Sequence, residues 1–328
     1  MVREGAADLR AAGVPLSEGR GVFVIFNPAS GRGLGARRIE AYRALLKQHL
    51  PGATLVETTR PGEEAELADR AVAEGYGVVA TAGGDGTLGN VADRLVAAAR
   101  PGVALGLLPS GTGNDFGRSL GLSPADPREA VQVLARGRTR RVDVGRLDTP
   151  SAAEYAPERK EARHFLNLIG FGFDVAVIDA AAHARFLTGE PLYKVTALQQ
   201  LFRFAGVPVG VEGASGAVRS GEHLMLTVSN GRFFGGGFPI APTARVDDGQ
   251  LHACCIGDAP PLTRLRLFHL AERGRHVESE RVEILADSGF RLTFPVPPRF
   301  EMDGDVRQSE GPVMEARVLP GALEVVAP

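Results

Sequence analysis

The 328 residues suffice for two domains with buried cores. Glycine (42) and proline (22) are abundant, but 44% hydrophobic and 23% charged residues without a three-residue glycine period exclude a collagen-like or disordered chain. With 37 Lys and Arg against 39 Asp and Glu, the net charge of -2 provides no basic field for nucleic acid, and the glycines are expected in turns and binding loops.

The N-terminus lacks the apolar core of a secretory signal, and no stretch approaches the ~20 apolar residues that span a bilayer. The expectation is a soluble, cytoplasmic protein that at most touches a membrane surface. From residue 21 to about 147, apolar runs alternate with helix-period segments, the signature of an open α/β sheet. Strands are predicted at 22–26, 54–57, 77–81, 104–108 and 140–147. The stripes Ile39/Tyr42/Leu45/Leu46, Leu67/Ala71/Val72, Val91/Leu95/Val96 and Val131/Leu134 predict the intervening helices. The last begins with Asp126 as N-cap, Pro127 at the first helical position and Glu129 completing a capping-box pattern.

After the polar stretch 148–163, a linker or an exposed hairpin tip, the pattern changes. This predicts an α/β domain over 1–147 and a second domain over 148–328. Helices are expected at 175–186 and 191–204, among short apolar runs at 164–170, 223–229, 251–256, 282–285, 290–294 and 313–318. Short strands separated by glycine and proline predict a β-sandwich or barrel. The adjacent Cys254 and Cys255 would form a strained bridge, so they read as reduced packing residues.

Four segments carry chemistry. NPASGRG (27–33) follows the first strand and precedes a helix, where backbone amides and the helix dipole make an anion site. It is not a Walker A loop, since no Gly-Lys pair occurs in the chain, and Gly31, Gly33 and Gly35 do not satisfy GxGxxG. GGDGT (83–87) opens the third helix. An aspartate among phosphate-cradling glycines would repel its ligand, so Asp85 is expected to hold a phosphate-bound Mg²⁺ or to take a proton from the attacking hydroxyl; capping the next helix is the plain alternative. In PSGTGNDFGR (109–118), Gly111 and Gly113 allow close backbone approach, Thr112 and Asn114 offer hydrogen bonds, Asp115 is a second acid and Arg118 could pair with it or with phosphate. MDGD (302–305) alone reads as a turn.

Together with FLNLIGFGFD (165–174) and SNGRFFGGGFPIAPTARVDDGQL (229–251), these segments resemble the lipid kinases that include bacterial diacylglycerol kinases and, more distantly, sphingosine and ceramide kinases. The resemblance implies an N-terminal α/β domain like that of NAD kinases and phosphofructokinases and a C-terminal β-sandwich, with the active site between them. Its C-terminal tail would pack back on the first domain. It implies ATP as phosphoryl donor and Mg²⁺ as cofactor. Asn27, Ser30, Gly31, Thr58, Gly83, Gly84, Asp85, Gly86, Thr87, Gly111, Thr112, Gly113, Asn114 and Asp115 would then bind nucleotide, with Asp115 near the catalytic Mg²⁺. MDGD stands where the family has DGE, making Asp305 the leading proton acceptor, with Asp303 and Asp85 beside it. A second, structural Mg²⁺ would use the Asp248 carboxylate and the carbonyls of Arg245 and Gln250.

The acceptor would be a lipid hydroxyl of a diacylglycerol, a sphingoid or ceramide-like lipid, or an isoprenoid alcohol. Transient contact with a membrane surface and a homodimer are also expected. Two departures stand out: Gly89 and Asn90 replace the family's Asn-Glu, removing a carboxylate, and Asp305 replaces the glutamate of DGE. NAD kinase and a catalytically weak nucleotide- or lipid-binding regulator are the competing readings. Residues 186–204, with Leu187, Leu192, Tyr193, Val195, Leu198, Leu201, Phe202 and Phe204 beside Lys194 and Arg203, read as a helix that packs in the core or lies at the bilayer interface.

Overall fold

The computed structural model describes residues 14–15, 21–123, 126–149, 162–183 and 190–328. After the short β1 (Val14–Pro15), the chain builds four parallel strands, β2 (Val22–Phe26), β3 (Thr54–Glu57), β4 (Val78–Gly83) and β5 (Ala104–Pro109), in the order β3-β2-β4-β5. β2, β4 and β5 are buried throughout, which is why they read as unbroken apolar runs. Helices α1 (Leu34–His49), α2 (Glu63–Glu74), α3 (Asp85–Ala98), α4 (Asp115–Ser119) and α5 (Pro127–Arg136) connect them. Ile39, Tyr42 and Leu46, Leu67 and Ala71, Val91 and Leu95, and Val131 and Leu134 enter the core as their spacing predicts. Asp126 caps α5 by accepting from the Arg128 and Glu129 amides. Glu129, however, accepts from the Ser123 amide rather than closing a capping box on Asp126.

β6 (Arg138–Asp148) pairs antiparallel with β7 (Ala162–Phe165), so the polar stretch between them connects two arms of a hairpin; 150–161 lie outside the described residues. The predicted strand at 164–170 is two strands, β7 and β8 (Leu168–Gly172). The chain bends at Leu166–Asn167, where backbone amides turn toward the Asp303 carboxylate. Helices α6 (Phe173–His183) and α7 (Glu190–Arg203) follow; Leu187 lies outside the described residues.

The sandwich-like half continues with β9 (Val207–Gly213), β10 (Val218–Ser229), β11 (Leu251–Gly257), helix α8 (Pro261–Ala271), β12 (Val282–Asp287), β13 (Gly289–Thr293), β14 (Arg299–Met302), β15 (Asp305–Gln308) and β16 (Val313–Val326). β10 bridges β9 and β8 on one edge and β11 on the other, while β13 joins β9 to β16. One face carries a core around Phe171, Phe290, Phe294 and Phe300; the other packs against α6–α8. Cys254 and Cys255 are free and buried.

β16 runs eight residues past the predicted strand. Its start pairs with β13, its length with β6, and Glu324 and Val325 run parallel to Ala104 and Leu105 of β5. The β6–β16 ladder therefore belongs to both cores: Val142, Val144, Leu323 and Val325 lie in the first, and Leu147, Met314 and Ala316 in the second. A register shift between Leu319 and Leu323 places Gly321 at φ +56°, where its amide donates to Asp143 Oδ1.

Candidate active site

The glycine-rich loops meet at the carboxyl ends of the parallel strands, where open α/β sheets bind ligands. Asn27 fixes the first loop: its amide nitrogen donates to Thr87 Oγ1 at 2.8 Å and its Oδ1 accepts from Ala29 N at 3.0 Å. Ser30 meets Ser110 Oγ at 3.1 Å, and Gly31 adopts φ +59°. Gly83 and Gly84 run beside Gly111 so closely that a Cβ on Gly111 would sit 2.4 Å from the Gly84 Cα. Asn114 shapes its own loop, accepting from Gly111 N at 3.0 Å and donating to Gly111 O at 2.8 Å. Thr112 is exposed and Gly113 borders two acids, while Thr58 is buried one strand further out, its amide on Phe26 O.

Asp85 starts α3, but its carboxylate caps α4 instead, with Oδ1 accepting from Asp115 N at 2.9 Å. Its Oδ2 and that of Asp115 lie 2.7 and 3.0 Å from where a Gly113 Cβ would stand. Asp115 Oδ2 accepts from Gly236 N, Arg118 Nε lies 3.8 Å from Oδ1, and Oδ1 is buried without a hydrogen-bond partner among the described residues. Burial and the Asp85 charge raise the Asp115 carboxyl to about 7, and burial raises Asp85 as well.

MDGD is a two-residue hairpin between β14 and β15, with Met302 pairing to Asp305 and positive φ at Asp303 (+48°) and Gly304 (+94°), as a type I′ turn requires. The turn packs onto the start of α3. A Cβ on Gly86 would fall 2.7 Å from Asp305 Oδ1, and one on Gly89 would fall 2.8 Å from Asp303 Oδ2. Gly89, a departure from the family pattern, is thus the space that admits Asp303. Asp303 accepts three amides, from Leu166 (2.7 Å), Asn167 (2.9 Å) and Leu168 (3.1 Å), yet burial holds its carboxyl at about 7. The half-exposed Asp305 side chain faces Asn90 Nδ2 at 3.5 Å and Arg307 at 3.8 Å; burial raises its carboxyl. The structure therefore brings Asp85, Asp115, Asp303 and Asp305 together.

Arg245, Asp248 and Gln250 lie on a separate loop. Asp248 Oδ1 accepts from Gln250 N at 3.0 Å and its Oδ2 lies 3.5 Å from His252 Nε2. Asp143 ties this loop to the β16 bulge by accepting Gly249 N at 2.7 Å through Oδ2 and Gly321 N through Oδ1.

Several buried polar groups were not singled out in the sequence. Asp174 and Glu301 flank Gly170, whose Cβ would meet Asp174 Oδ2 at 1.9 Å and Glu301 Oε2 at 3.2 Å. Glu301 Oε1 accepts from Gly304 N, while both Asp174 oxygens and Glu301 Oε2 have no hydrogen-bond partner among the described residues. Burial raises Asp174 to about 7; burial and the Asp174 charge push Glu301 well above the ordinary range. His164 binds Asp93 Oδ1 through its ring at 2.8 Å, beside a cleft that Asn90, Asp303, Asp305 and Arg307 also line. Glu64 is buried against Asn90. Asp174 closes the segment FLNLIGFGFD, the one signal that could have found it; nothing local distinguished the others.

Two family models match the chain: the diacylglycerol kinase catalytic domain over residues 21–147 and the YegS C-terminal NAD kinase beta sandwich-like domain over 167–327. A diacylglycerol kinase of Mycobacterium tuberculosis (strain CDC 1551 / Oshkosh) is 30% identical over 313 residues, spanning 94% of this chain and 95% of that protein. One from Staphylococcus carnosus (strain TM300) is 29% identical over 263 residues, 79% and 80% of the two chains. Among solved structures, a diacylglycerol kinase from Bacillus anthracis str. Sterne superposes with a TM-score of 0.68 at 19% identity, covering 94% of this chain and 97% of that one. Yeast NADH kinase shares the fold at a TM-score of 0.54 and 11% identity over 94% and 84%. No helix among the described residues is long and apolar enough to cross a membrane. Acidic loops gathered on an α/β sheet, a sandwich-like second half and relatives matched along nearly the whole length lead to one assignment: the chain belongs to the bacterial diacylglycerol kinase family and is a lipid kinase of that kind.

Proposed function

We propose that the enzyme transfers the γ-phosphoryl group of ATP to the free hydroxyl of diacylglycerol, the substrate in the names of its relatives, with sphingoid, ceramide-like and isoprenoid alcohols as alternative acceptors. The observation that carries this reading is the placement of two acids around GGDGT: Asp85, within it, is turned toward Asp115, and Asp305 stands beside its Gly86 with about half its side chain exposed.

The residues fit a catalytic Mg²⁺. Asp85 and Asp115 converge over Gly113, the buried Asp115 Oδ1 has no hydrogen-bond partner among the described residues, and burial together with the Asp85 charge raises Asp115, an arrangement a hard cation relieves. Bound there, Mg²⁺ would neutralise charge on the transferring phosphoryl group. The loops Gly83–Thr87 and Gly111–Gly113, whose glycines leave room for close approach, cradle the phosphates, while Asn27, Ser30 and Asn114 hold the three loops in register. Asp303, fixed by three amides, anchors the turn, and Asp305 orients the lipid hydroxyl and accepts its proton. Burial moves Asp305 toward the operating pH, as suits a general base. Asp248, with the carbonyls of Arg245 and Gln250, would hold the second, structural Mg²⁺.

α7 presents exposed Val195, Leu198 and Phe202 while burying Leu201, and the adjacent α8 exposes Leu262 and Leu265. With exposed Arg203 and Arg266 nearby in sequence, this face suits transient contact with an anionic membrane surface. A cytoplasmic location and a homodimer complete the proposed reading.

The test is mass spectrometry of a lipid extract incubated with Mg-ATP. Phosphatidic acid is the expected product, and Asp85→Asn abolishes its formation without altering the circular dichroism spectrum. Full turnover by that variant overturns the assignment, and phosphate on a sphingoid, ceramide-like or isoprenoid alcohol alone replaces diacylglycerol as the acceptor; nucleotide and lipid binding without turnover would indicate a regulator.

A further inference from the structure

Glu63 and Glu64 both open α2, but they do different things. Glu63 turns back over the preceding loop, accepting from Thr59 Oγ1 at 2.8 Å and Arg60 N at 3.3 Å. That is an ordinary acid at a helix start. Glu64 is 5% exposed and points into the groove between α2 and α3, where its Oε1 accepts from Asn90 Nδ2 at 2.9 Å. The same Asn90 nitrogen lies 3.5 Å from Asp305 Oδ2, and Asn90 Oδ1 accepts from Arg307 at 3.3 Å. One carboxamide therefore stands between two carboxylates on its donor side and a guanidinium on its acceptor side.

This arrangement bears on the carboxylate missing from position 90. A glutamate there would join Glu64 and Asp305 as a third carboxylate, and like charges at such separations repel strongly when partly buried. An asparagine instead can donate one N–H toward each. The charge absent from α3 is present one helix away, within hydrogen-bond distance of the residue that lacks it.

We propose that Glu64 is a positioning residue of the phosphoryl-transfer site, supplying from α2 the carboxylate that the family pattern places on α3, and that Asn90 transmits its hold to Asp305. This rests on Asp305 being the proton acceptor. Removing Glu64 leaves the Asn90 carboxamide held through Oδ1 by Arg307 with its Nδ2 free to swing, and Asp305 loses its fixed neighbour while the loops on the far side of GGDGT are untouched.

The experiment is a rescue cycle measured with dioleoylglycerol in mixed micelles and Mg-ATP. Glu64→Ala should lower kcat by about tenfold or more with KM for ATP within about twofold, the mark of lost positioning rather than lost binding. Asn90→Glu should fall at least as far through crowding of like charge. The double variant Glu64→Ala/Asn90→Glu, which moves the carboxylate to position 90, should return to within about threefold of the parent, a large coupling for residues in direct contact. Should Glu64→Ala unfold, the isosteric Glu64→Gln decides, with a kcat loss still expected. Parental kcat in Glu64→Gln or Glu64→Ala, or a double variant as poor as the two losses multiplied, overturns the proposal. Asp305→Asn is measured alongside: full turnover there removes the proton-acceptor reading, whereas the cycle compares chains that all keep Asp305 and still reports whether positions 64 and 90 exchange a charge.

Discussion

Gly89→Ala sets two effects of opposite sign against each other. In an exposed helix interior this change stabilises by about 1 kcal/mol, because alanine loses less backbone entropy. Here the added Cβ would lie 2.8 Å from Asp303 Oδ2 and 2.9 Å from Asp303 Cβ. Carbon atoms settle at about 3.5 Å or more, so Asp303 would have to retreat by roughly half an ångström. It is poorly placed to do so: three amides hold its carboxylate at 2.7–3.1 Å and its backbone sits at φ +48°. Overpacking of this kind costs about 1–3 kcal/mol, and stretched bonds to a charged acceptor add to it, so the net expectation is destabilisation of about 1–2 kcal/mol. Because Asp305 rides on the same turn, a shift of about half the 1 Å that can cost ~10²-fold should lower kcat by about tenfold. Urea titration reads the first effect and phosphate incorporation into dioleoylglycerol the second. A variant more stable than the parent with unchanged kcat would refute the claim that Gly89 exists to admit Asp303.

Two further outcomes follow from the geometry. Asp174 is held at about 7 by burial, above the ordinary carboxylate value near 4 of the unfolded chain, so its contribution to stability is full below about pH 4 and is lost as pH rises through about 7. The melting temperature without nucleotide should therefore drop between pH 5 and pH 8, and Asp174→Asn should flatten that drop; an identical slope in the variant counts against the assignment. The pair Phe202→Ala and Leu262→Ala should reduce co-sedimentation with anionic liposomes severalfold while leaving ATP binding unchanged, and undiminished sedimentation would show that α7 and α8 face something other than lipid.

The buried parallel strands were legible because burial on both faces leaves an apolar run that needs no partner to be recognised. β16 was cut short at Val318 because Pro320 and Gly321 look like a strand's end. The structure uses them as a bulge, with the Gly321 amide on Asp143, and the strand resumes beyond. β9 and α8 were missed for a related reason: each is recognised by what it packs against, β10 and β13 for the one and α7 for the other, more than by its own period. The acidic loops were visible because glycine and aspartate at fixed offsets are a local signal. Glu64, Glu301 and Asp93 were not, since an inward-facing acid on a helix or strand looks like a solvated one until the neighbouring element is in place. The resemblance also implied that a carboxylate was gone from position 90; only the packing of α2 on α3 reveals Glu64 beside it.

The pairing of Glu324 with Ala104 joins residues 220 positions apart in the chain. During synthesis, β5 is made long before the strand that will cover its edge, and that edge carries Leu105 and Leu107 in a run with no charge. Until β16 arrives, the nascent α/β layer presents an open, apolar strand edge of the sort that captures other chains. Completion of the α/β half thus depends on a strand made some 220 residues after β5, and with so non-local a closure the folding rate should be slow and sensitive to holdase chaperones. A chain ending before residue 319 would be expected to misassemble as a whole rather than to yield a folded first half with a frayed second one.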